Sequence, residues 1–172
     1  PIEQEGTYPL PEAQLDRFLM HVKIDYPDAS AEQSILRLAR GEALAHKEYE
    51  GSKLTEKHLI AARSQVLQMH MSEAVEEYLV QLIIATREPG KYGDDLARWV
   101  EFGASPRGTI ALDRCARAYA WLEGRDYVSP DDVRAVAHDV LRHRILLSFE
   151  AEASGLTTDT VINELLSRVP VA

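Results

Sequence analysis

From Ala29 to the end of the chain the apolar residues recur at helical spacing, and this persistence constrains the fold more than any other feature. Ile35, Leu38 and Ala39 mark a helix between about Ala29 and His46, with Ser30 as its plausible cap. After a polar loop over Lys47–Leu54, Thr55 opens a second helix carrying Leu59, Ile60, Val66 and Leu67 to about Met69. Ser72 caps a third, with Val75, Leu79, Leu82, Ile83 and Thr86 along one face and Pro89-Gly90 at its end. Lys91–Phe102 reads as a mixed loop with room for one turn around Asp95–Trp99. Beyond Gly124–Val128, Ser129-Pro130-Asp131-Asp132 combines a cap, a first-turn proline and acidic residues where the helix dipole favours them. Val133, Val136, Ala137, Val140 and Leu141 follow at helical spacing. The apolar run Ile145, Leu146, Leu147 and Phe149 is expected to pack back on the bundle. Thr158 is placed as the cap of a last helix bearing Val161, Ile162, Leu165 and Leu166, ended by Val169-Pro170.

Only Leu19–Asp25 alternates as a strand does, with Met20, Val22 and Ile24 on one side. No second strand is legible, and a lone strand has nothing to pair with. It belongs to a sheet completed by other sequence, pairs with another molecule, or is disordered. Residues 1–16 read as loop, with a turn of helix around Glu12–Phe18. The expected fold is mainly α: roughly six helices in a bundle with an extended N-terminal arm and one orphan strand.

Gly103-Ala104-Ser105-Pro106-Arg107-Gly108 opens the helix that carries Leu112, Cys115, Ala116, Tyr119 and Leu122. Ser105 is a good N-cap and Pro106 suits the first turn, but Arg107 places a cation where the helix already carries partial positive charge. Either a negative group shares the site, or Arg107 turns to solvent or to a nearby carboxylate. The flanking glycines would let an anion approach the backbone.

A net charge of −9 argues against a nucleic-acid partner, whose electrostatic footprint is normally basic. The single cysteine, Cys115, excludes an internal disulfide and reads as a buried structural thiol. No apolar run is long enough to span a membrane, and the chain reads as cytoplasmic. Its start on Pro1 suggests a piece of a longer protein. The six histidines, His21, His46, His58, His70, His138 and His143, show no zinc spacing. Asp131-Asp132 is explained by capping, and Asp94-Asp95 is a solvated loop or another helix start. No phosphate-binding glycine loop, dinucleotide fingerprint or nucleophile elbow occurs. Two arginines stand in distinctive settings: Arg107, and Arg17 in Gln14-Leu15-Asp16-Arg17-Phe18. Alternatively, Arg17 is a surface residue of a short helix paired with Glu12 or Asp16. Arg125 and Tyr127 read as a structural turn, and Trp99 and Trp121 as core or interface residues.

Taken together, several segments resemble the MoxR family of AAA+ ATPases. Residues 1–18 are similar to the stretch that follows that family's sensor-1 asparagine, and Gly103–Arg107 resembles its sensor-2 motif. Glu123–Val133, Leu141–Arg144 and Val169-Pro170-Val171 resemble its lid segments and its ending. The resemblance implies that residues 1–27 are the end of a nucleotide-binding core and residues 28–172 a helical lid. The phosphate-binding and magnesium-holding residues would then precede Pro1, and the orphan strand would belong to the core's parallel sheet. Arg107, with Ser105 and Pro106, would be sensor 2, reaching the γ-phosphate of ATP in its own subunit. Arg17 would be the arginine finger, acting in the neighbouring subunit. The resemblance further implies ATP and Mg²⁺ in the parent protein, a hexameric ring, partners with von Willebrand A domains, and no ATP bound by this segment alone. A non-catalytic helical interaction module is the alternative.

Overall fold

The computed structural model describes residues 10–44, 51 and 53–171. In chain order its helices are α1 (Glu12–Leu15), α2 (Ala29–Leu44), α3 (Glu56–Gln68), α4 (Glu73–Arg87), α5 (Asp94–Trp99), α6 (Pro106–Leu122), α7 (Pro130–Leu141), α8 (Phe149–Ala153) and α9 (Thr158–Arg168), with a 3₁₀ turn over Pro89–Lys91. The strands are β1 (His70–Met71), β2 (Val100–Phe102), β3 (Tyr127–Val128) and β4 (Leu146–Leu147).

α6 is the axis of the bundle. Its buried face is built from small residues, Gly108, Ala111, Cys115, Ala116 and Ala120, around the single large side chain of Leu112. Small residues let α7 lie close along it, so Val133, Val136, Ala137, Val140 and Leu141 are buried. α4 packs on the same axis through Val75, Tyr78, Leu79, Leu82 and Ile83, and α9 closes the core with Val161, Ile162 and Leu165. Each such aliphatic side chain, fully buried, contributes about 1.5–3 kcal/mol of transfer free energy. Periodicity therefore gives α4, α7 and α9 their correct faces. On α6 it over-extends the face, because Tyr119 is partly exposed and Leu122 lies in solvent at 74% exposure.

The helix starts follow side-chain capping. Thr55 Oγ1 accepts the His58 N–H, and Ser72 Oγ accepts the Val75 N–H. Two expected caps move by one or two positions. Asp28 rather than Ser30 caps α2, its carboxylate accepting the Ala31 N–H at 2.7 Å. Thr157 rather than Thr158 caps α9, accepting the Thr160 N–H at 3.2 Å. In both, the side chain just outside the helix reaches back to the third helical N–H, as capping geometry requires.

Three expectations are corrected. Leu19–Asp25 forms no strand: it is coil, because no ladder partner lies beside it among the described residues, and it is tied instead to α7 by the His21 N–H donating to the Asp139 carbonyl. Four short strands appear where none was expected, β1 parallel to β3 and β2 antiparallel to β4. Two or three residues are too few to show a period, so the pattern could not reveal them. α2 does not pack as a bundle helix, since Ile35, Leu36 and Leu38 are all exposed. Of the apolar run after α7, Ile145 is buried and Leu147 packs on the core, whereas Phe149 is exposed. The expected helix end at His46, much of the loop 47–54 and residues 1–9 lie outside the described residues.

Candidate anion site

The turn before α6 is pinned to the end of α4. The Ala104 N–H donates to Thr86 Oγ1 at 2.9 Å, Thr86 Oγ1 donates to the Ile83 carbonyl at 2.7 Å, and Arg87 Nε donates to the Ala104 carbonyl at 2.7 Å. Gly103 lies so close to α4 that a Cβ there would sit 2.3 Å from the Thr86 carbonyl oxygen. Gly108 is buried and packed less severely, with the side-chain atoms Ala104 Cβ and Ile83 Cδ1 each 3.1 Å from where its Cβ would be. The two glycines therefore serve close packing of the chain on itself, which corrects the expectation that they open the backbone to a ligand.

Ser105 caps α6 as expected, its Oγ accepting the Arg107 N–H at 3.1 Å. The same hydroxyl donates to the Asp16 carboxylate, 2.8 Å to Oδ2. Asp16 is thus the negative group that the Arg107 position calls for. Arg107 Nη1 lies 3.6 Å from Asp16 Oδ2, with a side chain 52% exposed. An ion pair that long and that wet holds its arginine weakly, so Arg107 can turn to another anion at small cost.

Arg144 fixes Asp16 from the other side. Its side chain is only 2% exposed, and Nε donates to Asp16 Oδ1 at 3.2 Å. Nη2 donates to the carbonyls of Asp16 (3.3 Å) and Phe18. Nη1 donates to those of Leu19 (3.3 Å) and Val140. Burial disfavours the charged guanidinium and lowers its pKa, while Asp16 opposes that shift. Beside it, the His143 imidazole has Nε2 3.1 Å from the Phe18 carbonyl, so Nε2 carries the proton, and Nδ1 is buried with no partner among the described residues. Desolvation pushes the His143 pKa down.

The product is a shallow cavity of about 260 Å³ lined by Asp16, Arg17, Leu19, Arg107, Ile110, Ala111, Arg114 and Arg144. Four guanidinium groups face one carboxylate, a local cationic surplus in a chain of net charge −9. Planar, permanently charged forks suit phosphate or carboxylate oxygens and cannot ligate a metal. The structure brings together both arginines singled out in the sequence, Arg17 and Arg107, with Ser105 one hydrogen bond away. Arg17 is exposed, and Asp16, a partner the sequence left open for it, is engaged by Ser105, Arg107 and Arg144 instead. Sequence reasoning missed Arg114 and Arg144. Arg114 was legible, since positions 107, 111 and 114 share one helical face. Arg144 carries no local pattern that marks it as buried.

The remaining candidates are structural. Asp94-Asp95 starts α5, and Arg168 grips Asp95 with both Nη atoms at 2.6 Å, holding that carboxyl far below its ordinary value. Burial would raise the Asp132 pKa, but Arg125 and the N–H and hydroxyl of Ser129 outweigh it and lower it. Arg125 lies in the connection after α6 and stacks over the Tyr127 ring, but Tyr127 itself begins β3 rather than belonging to the expected turn. Cys115 is buried, and its thiol pKa is raised by that burial. Trp99 and Trp121 pack partly buried on the core. His138 meets Asn163 whereas His143 meets Phe18, and among the described residues no three His, Cys, Asp or Glu side chains converge. No described helix is long and apolar enough to cross a membrane.

Residues 96–165 match the AAA lid domain, and residues 1–20 match the ATPase family associated with various cellular activities (AAA). A solved structure of a putative ATPase from Cytophaga hutchinsonii superposes with a TM-score of 0.92 at 40% identity, covering 100% of this chain and 52% of that one. The helical bundle is therefore an AAA lid. The chaperone MoxR1 of Mycobacterium tuberculosis is 41% identical over 98% of this chain and 44% of its own length. Protein MoxR of Paracoccus denitrificans is 37% identical over 99% of this chain and 53% of its own. The chain belongs to the MoxR family of AAA ATPases and spans about half the length of these relatives.

Proposed function

We propose that this chain is the lid, preceded by the arginine-finger end of the nucleotide-binding core, of an ATPase that uses Mg²⁺ and ATP to remodel or assemble partner protein complexes. Residues 1–27 belong to the core and residues 28–172 to the lid. The observation that carries this reading is the shared cavity of Arg17 and Arg107. An arginine finger stabilises charge that spreads over phosphoryl oxygens in the transition state and is worth roughly 10³–10⁵ in rate. Two such residues lining one cavity favour a single phosphate group for both. Since a finger serves the neighbouring subunit's nucleotide, the shared cavity favours the same nucleotide for Arg107, rather than one in its own subunit as the resemblance alone implies. Ser105 and Pro106 present Arg107 from a capped helix start. Magnesium and the remaining phosphate contacts come from core residues outside the chain. Oligomerisation into a ring, six-membered in this reading, is required because each site is completed by two subunits. Partners with von Willebrand A domains fit the family.

The test is magnesium-dependent ATP hydrolysis by the full-length protein and by this chain alone. The full-length protein hydrolyses ATP, Arg17→Ala and Arg107→Ala each lower kcat at least a hundredfold, and the isolated chain is inactive. Wild-type turnover in either variant removes its assigned role. A helical interaction module without catalysis would leave even the full-length protein inactive.

A further inference from the structure

Arg144 lines the same cavity as Arg17 and Arg107, yet it is the most deeply buried of the four guanidinium groups there and is spent on the protein's own acceptors. One planar fork gathers the Asp16 carboxylate and the carbonyls of Asp16, Phe18 and Leu19, the residues on both sides of Arg17, and ties them to the Val140 carbonyl at the end of α7. The segment between α1 and α2 has no helix or ladder of its own here. Its other ties to the lid include Ser105 and Arg107 to Asp16, His143 to Phe18, Arg142 to the His21 carbonyl, and the His21 N–H to Asp139. Without Arg144, three backbone carbonyls and a carboxylate beside the finger lose their shared donor.

We propose that Arg144 is the positioning residue that sets Arg17 against Arg107, so that lid and finger segment move as one piece and present both guanidinium groups to the same phosphate. This rests on the assignment of Arg17 and Arg107 above. Lysine cannot replace it, because an ammonium is a point donor without the fork that spans these acceptors.

Three measurements on the full-length protein decide the matter. First, in Arg144→Lys, amide hydrogen exchange at residues 17–21 rises at least tenfold, while α4, α6 and α7 keep wild-type protection. Second, its kcat for ATP falls at least tenfold with KM changed less than threefold, since nucleotide binding is held by the core. Third, rings that mix Arg144→Lys subunits with subunits whose own phosphate-binding lysine is disabled regain activity, because the disabled subunits still offer intact fingers. The double variant Asp16→Asn/Arg144→Met removes both charges together, leaving neither buried alone, and it too loses at least tenfold in kcat while the lid stays folded. Unchanged exchange at 17–21, a wild-type kcat in either variant, or no recovery in mixed rings overturns the proposal. Loss of the folded lid in both variants assigns Arg144 to lid stability and overturns it as well. Wild-type activity of Arg17→Ala would instead fail the functional reading beneath it.

Discussion

The Ser105 hydroxyl donates to the Asp16 carboxylate at 2.8 Å, joining the cap of α6 to the residue before Arg17 across 89 positions of sequence. One oxygen thus starts a helix and docks the N-terminal arm. Ser105→Ala removes both roles. An N-cap of this kind is worth about 1 kcal/mol, so thermal unfolding should fall by roughly 2–4 °C for a domain of this size. Exchange at residues 16–18 should rise with it. A melting point unchanged from wild type would show that the cap carries no stability.

Gly103→Ala tests the close approach of the α6 turn to α4. A Cβ 2.3 Å from the Thr86 carbonyl cannot be relieved by a side-chain rotation, because the obstacle is backbone. Overpacking of this kind costs about 1–3 kcal/mol, measurable by urea unfolding. Thr86→Val is the companion: it leaves the buried Ala104 N–H without its acceptor, at about 1–3 kcal/mol.

Asp132 is the most deeply buried carboxylate among the described residues, its side chain 3% exposed and shared by Arg125 and Ser129. Asp132→Ala should destabilise by about 2–3 kcal/mol, from a lost cap and charge-assisted hydrogen bonds. Its low native pKa also sets a direction with pH: the contribution is present above the ordinary carboxylate range and is lost as pH falls through the native value. Acid unfolding of Asp132→Ala should accordingly be less steep than that of wild type.

His143 works in a higher window. Its native pKa lies below the ordinary value near 6.5, so the unfolded chain binds more protons and stability rises with pH through that range. Protonation would place a buried N–H at Nδ1 with no described acceptor, beside Arg144. Stability is fully present above about pH 6.5 and declines as pH falls below it. His143→Gln keeps a donor toward Phe18 and cannot titrate, so the difference in melting temperature between wild type and variant should change between pH 7.5 and 5. A constant difference would exclude His143 as the source.

Much of this was legible in the sequence for a physical reason. Val133, Val136, Val140 and Leu141 are buried by a helix that packs on another, and such packing writes its 3.6-residue period into the chain. The Ser105 cap and the Arg107 anomaly are local, so they too could be read. The four short strands carry no period, and the coil at Leu19–Asp25 alternates without a partner. α2 has an apolar stripe whose residues are exposed here, so its pattern says helix but not what covers it. Arg144 was invisible because its meaning comes from Asp16, Phe18 and Leu19, more than 120 residues away.

Whether Arg17 and Arg107 serve one nucleotide is tested most directly by ATP hydrolysis in rings mixing Arg107→Ala subunits with subunits whose own nucleotide site is disabled, set beside the same mixture made with Arg17→Ala. Recovery of hydrolysis in both mixtures is the predicted result. Recovery with Arg17→Ala but none with Arg107→Ala would place the two arginines at different nucleotides and contradict it.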